Sequence, residues 1–312
     1  MTSISGFTLI VLIVFAIILL LLIIKVWNNN DSEPIPPEPP TPPTPPCIPF
    51  AIDITDIATY DGEDTYTLNG DYTITECQIL NISVDIILGI IEGQTLTNNG
   101  SINNSGTINN NGTINNRKNF NNSNNFNNNR TINNSGSINN NRGSINNNSG
   151  SINNNNGTIN NNSGSINNNS GATIYNNSGA TIYNNNGTIY NNSASYLYNK
   201  AGGTINNIST IQNNGYLYNR AGGTINNNTE GFIYTYESGV IFNIDGGTIN
   251  NNGFIYTYES GVIFNDSGAT INNVEGTIST ADGSSTCGTG TLEDSGTTNN
   301  SGTINTSCPP VI

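Results

Sequence analysis

Few residues in this chain could do acid–base chemistry, and the best placed are a pair of glutamates. Gly231–Gly239 and Gly253–Gly261 are near copies twenty-two residues apart, and they set Glu237 and Glu259 at equivalent positions. If the copies stack as successive turns of one coil, the carboxylates lie about 5 Å apart, near the separation used by retaining glycosidases. Duplication of one coil gives the same pair with no chemistry attached, so the expectation is a protein that is not an enzyme. Histidine is absent, which excludes serine–histidine catalysis. Zinc is not expected either, because the four cysteines form no CxxC pairs. Asp53, Asp56, Asp61, Glu63 and Asp64 cluster near the N-terminal side, but their spacing fits no EF-hand loop and reads as solvated turns. No cofactor or metal is expected.

Tyrosine offers a second kind of chemistry. Tyr175, Tyr183 and Tyr190 are followed by Tyr196, Tyr198, Tyr216, Tyr218, Tyr234, Tyr236, Tyr256 and Tyr258. Columns built from Tyr198, Tyr218, Tyr234, Tyr236, Tyr256 and Tyr258 would give an outward surface able to grip glycans or a partner protein. Lys200 and Arg220 recur at the same step and would stack as a small cationic ledge. Cys47 and Cys77 lie before the repeats, Cys287 and Cys308 after them. Three pairings are open; Cys47–Cys77 with Cys287–Cys308 would staple each end of the fold, in an oxidising compartment.

What must position these groups is a short repeated phrase. From Asn98 to about Ile278 the text reads Gly, Ser or Thr, an apolar residue, then Asn-Asn. The apolar beat falls at Ile102, Ile108 and Ile114, then through Ile145 and Ile152, in steps of six, seven and eight. That is too sparse for an amphipathic helix, and the β-branched residues between Gly and Asn are strand-and-turn chemistry. Tyr196–Gly203 recurs as Tyr216–Gly223 after twenty residues, an interval holding three units. The implied fold is all-β: a three-sided parallel β-helix of roughly 18 to 24 residues per coil. The longer steps favour a right-handed coil. Alternation predicts Ile inward, Thr and the first Asn outward, and the second Asn with Gly at a left-handed corner. Asn above Asn can form amide ladders along the axis.

Ile91-Glu92-Gly93-Gln94-Thr95-Leu96-Thr97-Asn98-Asn99-Gly100-Ser101-Ile102-Asn103-Asn104 resembles the entry into GTINN-type β-helices. These occur in filamentous-haemagglutinin-like adhesins and in repeat proteins of bacteria and large DNA viruses. The similarity covers most of residues 91–280 and implies architecture more than activity. By analogy it implies a viral membrane protein with a retained N-terminal anchor.

The chain of 312 residues carries a formal net charge of −14 and only 7 basic residues, which argues against a nucleic-acid partner. Phe7 to Ile24 is an uncharged apolar run followed by Lys25 and Trp27, the pattern of a transmembrane helix with an interfacial anchor. The expected order is an anchor at 1–27, a proline-rich stalk at 28–49, capping strands at 50–97, the repeats at 98–280 and a C-terminal cap at 281–312. Taken together, this is a membrane-anchored structural protein of a virion or cell surface, displaying a β-helical rod as attachment element or spacer. Its expected partners are the lipid bilayer, host glycans, other surface or capsid proteins, and further copies of itself. A glycan-binding adhesin and a polysaccharide-acting enzyme are the alternatives.

Overall fold

The structure, a computed structural model, describes residues 6–28, residues 47–281 apart from 178 and 267, and the strands 285–287, 291–294, 297–300 and 303–305. It divides into two compact units, Met1–Pro46 and Cys47–Ile312. In the first, one helix runs Gly6–Asn28, with exposed side chains over 14–25. The transmembrane helix expected from the apolar run Phe7 to Ile24 is not borne out: among the described residues no helix is long and apolar enough to cross a membrane. The proline-rich stretch lies outside the described residues.

The second unit is a three-faced parallel β-solenoid. Face 1 starts at Phe50–Ile52, face 2 at Ala58–Gly62 and face 3 at Tyr72–Ile74. Among the described residues they hold 12, 13 and 12 strands. From Thr95–Asn98 onward each strand pairs in parallel with the third strand before it and, until the last described coil, with the third after it. Changes of step never disturb the register, because corners absorb them. On face 3, Ile114 pairs with Ile132, Ile132 with Ile152, Ile152 with Ile174 and Ile174 with Leu197, although the steps differ. The three ladders of Ile, Leu and Phe meet on the axis and are almost wholly buried. Phe120 and Phe126, on adjacent faces, stack there at 4.8 Å. A cavity of about 10 Å³ remains along this seam, scarcely the room for one water.

The repeat strands show the exposure pattern half-buried, buried, half-buried, buried. The second Asn therefore closes the strand with its side chain turned inward, and does not form the corner as alternation had suggested. These inner asparagines are fully buried and form amide ladders. Asn98 Nδ2 donates to Asn116 Oδ1 at 2.7 Å, and Asn116 Nδ2 to Asn134 Oδ1 at 2.8 Å. Each also reaches a main-chain carbonyl at the next corner, as Asn98 Nδ2 does to Asn119 O at 2.9 Å. Burying an amide is tolerable where its donors and acceptor are met, as they are along the ladders; at the head of the face 1 ladder the Asn104 Oδ1 is buried without a partner. The first Asn of each pair forms a second, outer ladder of opposite polarity: Asn121 Nδ2 donates back to Asn103 Oδ1, and Asn139 Nδ2 to Asn121 Oδ1, both at 2.9 Å.

The repeat glycines also differ from expectation. Gly106 has no left-handed backbone; a Cβ there would lie 2.2 Å from the Ile86 carbonyl oxygen and 2.3 Å from that of Ser83. It is glycine because the preceding coil's main chain passes underneath. The left-handed corners instead fall in the longer steps, at Ala201, Gly202, Glu237 and Glu259 among others.

The sheets extend through both flanking segments. Gln78–Ile82 pairs with Phe50–Ile52 before it and with Ser101–Asn104 after it. Thr291–Asp294, Thr297–Asn300 and Thr303–Asn305 continue faces 1, 2 and 3. At the N-terminal end, Ala58–Gly62 and Thr65–Leu68 form an antiparallel hairpin. Its turn is Glu63-Asp64, both left-handed, as a tight hairpin requires. The Cys47–Cys77 disulfide ties down the chain's entry into face 1, with Cα atoms 5.7 Å apart.

Candidate functional site

The tyrosines singled out from the sequence occupy two faces rather than one. Tyr198 and Tyr218 are the third residues of the face 3 strands Tyr196–Lys200 and Tyr216–Arg220, and they are in register. Tyr234 and Tyr256 hold the same place on face 2, in Phe232–Thr235 and Phe254–Thr257. Tyr236 and Tyr258 stand at the corner leading from face 2 to face 3. In all these strands the inward Ile or Leu fixes the side chains on either side of it to point outward, so each ring is half-buried.

On face 3 one column runs Tyr175, Tyr198, Tyr218, Phe242, with ring centroids 5.2, 4.8 and 4.6 Å apart and nearly parallel planes. Phe264 ends it edge-on. Tyr196 and Tyr216 form a second, shorter column beside it. On face 2 three columns lie side by side over two coils: Phe232–Phe254 at 5.0 Å, Tyr234–Tyr256 at 5.5 Å and Tyr236–Tyr258 at 5.2 Å. The phenylalanines were missed in the sequence, although Phe-Ile-Tyr-Thr and Val-Ile-Phe-Asn place them on the outward side of the same inward isoleucines. Tyr183 and Tyr190 join neither group; their register neighbours are Asn160 and Asn206, and Asn167 and Gln212.

Where the face 2 array begins, the inner amide ladder stops. Thr235 and Thr257 take the inner Asn position, and Asn213 Nδ2 turns to the Val240 carbonyl at 3.1 Å. The Thr235 hydroxyl is buried without a hydrogen-bond partner.

Lys200 and Arg220 end their strands in register. The Lys200 ammonium lies 4.5 Å from the centre of the Tyr175 ring, and the Arg220 guanidinium carbon 5.5 Å from that of Tyr198. Each cation thus sits over a ring of the coil before it. Burial, and then the neighbouring Arg220 charge, hold the Lys200 pKa below the usual lysine value. Burial pushes the Tyr198, Tyr218, Tyr234 and Tyr236 phenols up, with neighbouring tyrosines adding to it. These hydroxyls stay protonated at neutral pH and remain donors.

Glu237 and Glu259 are exposed at left-handed corners, each directly after a stacked tyrosine. Neither is enclosed in a cleft. Asp53 and Asp56 are engaged in capping the short helical turn Ile54–Asp56: Asp53 accepts from the Thr55 amide, and Asp56 from the Asp53 amide. Among the described residues, no three acidic or cysteine side chains group to hold a metal ion. Cys287 is disulfide-bonded, while Cys308 lies outside the described residues. Of the Asn-x-Ser/Thr acceptors, Asn81 is exposed and Asn103 and Asn133 are half-buried, whereas Asn161 is locked in the inner ladder.

By fold and surface, then, this is a parallel β-solenoid with aromatic ladders on two of its three faces. No protein-family model matches the chain, and no curated protein does. Among solved structures it is similar to a TibC-catalysed, hyper-glycosylated fragment of TibA. The identity is 16%, over 77% of this chain and 97% of that one, with a TM-score of 0.34. So distant a likeness carries no functional inference.

Proposed function

We propose that this chain is a non-catalytic display rod, tethered at the surface of a virion or cell, which makes contact through its aromatic columns. The observation that carries the reading is the stacking of half-exposed rings in columns on neighbouring coils of faces 2 and 3, from Tyr175 to Phe264. Elsewhere the outward positions hold mainly Asn, Thr and Ser, which need no partner. Rings of this size left partly in water stay available to a ligand.

The exposed apolar side chains from Val14 to Ile24 support contact with a lipid surface, by a helix that is not long and apolar enough to cross it. The Cys47–Cys77 disulfide supports a solenoid held outside the reducing cytosol. Co-flotation with lipid vesicles and protease protection on vesicles test the two statements. A soluble chain, or a solenoid shielded with the vesicle lumen on its cytosolic side, would refute them.

The contact reading is tested by replacing Tyr198, Tyr218, Tyr234 and Tyr256 with Asn, the residue that most repeats carry there. Loss of binding on a glycan array and to target surfaces is expected, with the β spectrum retained. Undiminished attachment would make the rod a spacer. Replacing Glu237 and Glu259 with Gln is expected to leave attachment unchanged.

A further inference from the structure

The contact surface contains an unbalanced pair of charges. Lys200 and Arg220 stand one coil apart on face 3, in a chain with a net charge of −14. Among the described residues the ion pairs are Lys118 with Glu76 and Arg130 with Glu92, and neither includes these two cations. Their own column gives them no counter-charge. With Asn199 aligned on Asn176, and Asn219 on Asn243, the places before and after them fall on Asn177 and Ile244. The nearby corner acid, Asp245, makes no ion pair with Arg220 among the described residues. Like charges held side by side repel, and burial and Arg220 together already disfavour the Lys200 ammonium. An anion between them would remove that opposition.

We propose that Lys200 and Arg220, with the hydroxyls of Tyr198 and Tyr218, bind a saccharide carrying a single anionic group, a carboxylate or a sulfate. This rests on the contact reading given above. Two cations on one ledge match one anion and no more. The acidic remainder of the rod repels a polyanion such as nucleic acid or a densely sulfated polymer. Next to the cations, phenol hydroxyls and stacked ring edges offer donors and apolar contact, the mixture that sugar hydroxyls and ring C–H groups require. The guanidinium is held over Tyr198 and the ammonium over Tyr175, so both are oriented before a ligand arrives.

The test uses the full chain in detergent micelles on an array of lactose, sialyllactose and sulfated lactose. The native chain is expected to bind the charged forms about tenfold more tightly than lactose, and the preference should fade as salt rises. The double variant K200Q/R220Q should lose the preference yet keep its weak binding of lactose, while K200R/R220K should retain it. The two charged probes distinguish a carboxylate site from a sulfate site. Equal binding of charged and neutral forms by the native chain would overturn this inference and leave the contact reading standing; so would a salt-independent preference, or one that survives K200Q/R220Q. Absence of binding to all three probes would overturn this inference, and absence of attachment to target surfaces as well would remove the contact reading with it.

Discussion

Asn139 and Asn140 are neighbours in one strand of face 1 and are chemically identical, yet they are expected to differ sharply on replacement by Ala. Asn140 is fully buried. It accepts from Asn122 Nδ2 at 2.9 Å and donates to Asn161 Oδ1 at 2.9 Å and to the Ser165 carbonyl at 3.0 Å. Asn140→Ala removes all three bonds where water cannot enter, and it leaves the Asn161 oxygen without that donor. At about 1 kcal/mol per bond, the loss is about 3 kcal/mol, before any cavity is counted. Asn139 also sits in a ladder, donating to Asn121 and accepting from Asn160 at 2.9 and 2.8 Å. It is half-buried, however, and water replaces its partners, so Asn139→Ala should cost about 0.5 kcal/mol. For a unit of this size each kcal/mol moves the melting temperature by roughly 2–4 °C. Thermal melts followed by far-UV circular dichroism should therefore show a fall of about 6–12 °C for N140A and about 2 °C or less for N139A. Equal shifts would mean that both ladders are equally wet, and the distinction between inner and outer asparagine would be wrong.

Glycine contact gives a second comparison by the same melts. Gly106→Ala should destabilise by about 3 kcal/mol, because the new methyl meets main-chain oxygens that cannot move aside. Gly171→Ala, with open space around it and a left-handed φ of +80°, should cost only about 1 kcal/mol; the reverse order would refute the contact argument. The Cys47–Cys77 bridge spans a sequence separation of 30, worth about 3.6 kcal/mol by loop entropy, so C47S/C77S should fray the first coils in hydrogen exchange and leave the middle coils protected. Alkaline pH gives a further test. Tyr198 and Tyr218 hold their protons more tightly when folded than the ordinary phenol value of 10.0. Their contribution is complete below that value and is lost as pH rises through the folded pKa. Guanidinium midpoints should be flat through neutral pH and fall in the alkaline range, with the fall reduced in Y198F/Y218F. A rise with pH would contradict the sign.

The architecture was legible because it rests on the inward residue alone. The beat of Ile102, Ile108 and Ile114, and the twenty-residue recurrence of Tyr196–Gly203, fix three sides and the pairing of Tyr198 with Tyr218. Asn103 and Asn104 were harder, since two identical residues carry no mark of which is buried. The answer depends on whether the strand ends before or after the second, and main-chain pairing carries it one residue further than the corner chemistry of Asn-Gly suggests. Gly106 misled for a related reason. Glycine signals both left-handed backbone and close approach, and here the left-handed angles went to Ala201 and Glu237. The separation of Tyr234 and Tyr256 from Tyr198 and Tyr218 follows from counting units from one copy to the next. Their partners Phe232 and Phe242 became visible only when strand register put them beside the tyrosines.

The outward third position of each strand is where this fold can change its surface without touching its core. Along one line of face 3 it reads Asn133, Asn153, Tyr175, Tyr198, Tyr218, Phe242 and Phe264, while the inward Ile or Leu and the inner Asn beside it stay constant. An Asn there spends its amide on the neighbouring coils; a Tyr spends its ring face in the same way. Parallel rings 4.6–5.2 Å apart along the axis cover one another, so what they present outward is chiefly ring edge and hydroxyl. A sugar therefore cannot lie flat on most of these rings, as it does on an isolated aromatic platform. Recognition must come from hydroxyls, edges and the charges beside them. On face 3 the charges supplied are Lys200 and Arg220, and this is why the columns point toward an anionic saccharide more than a neutral one.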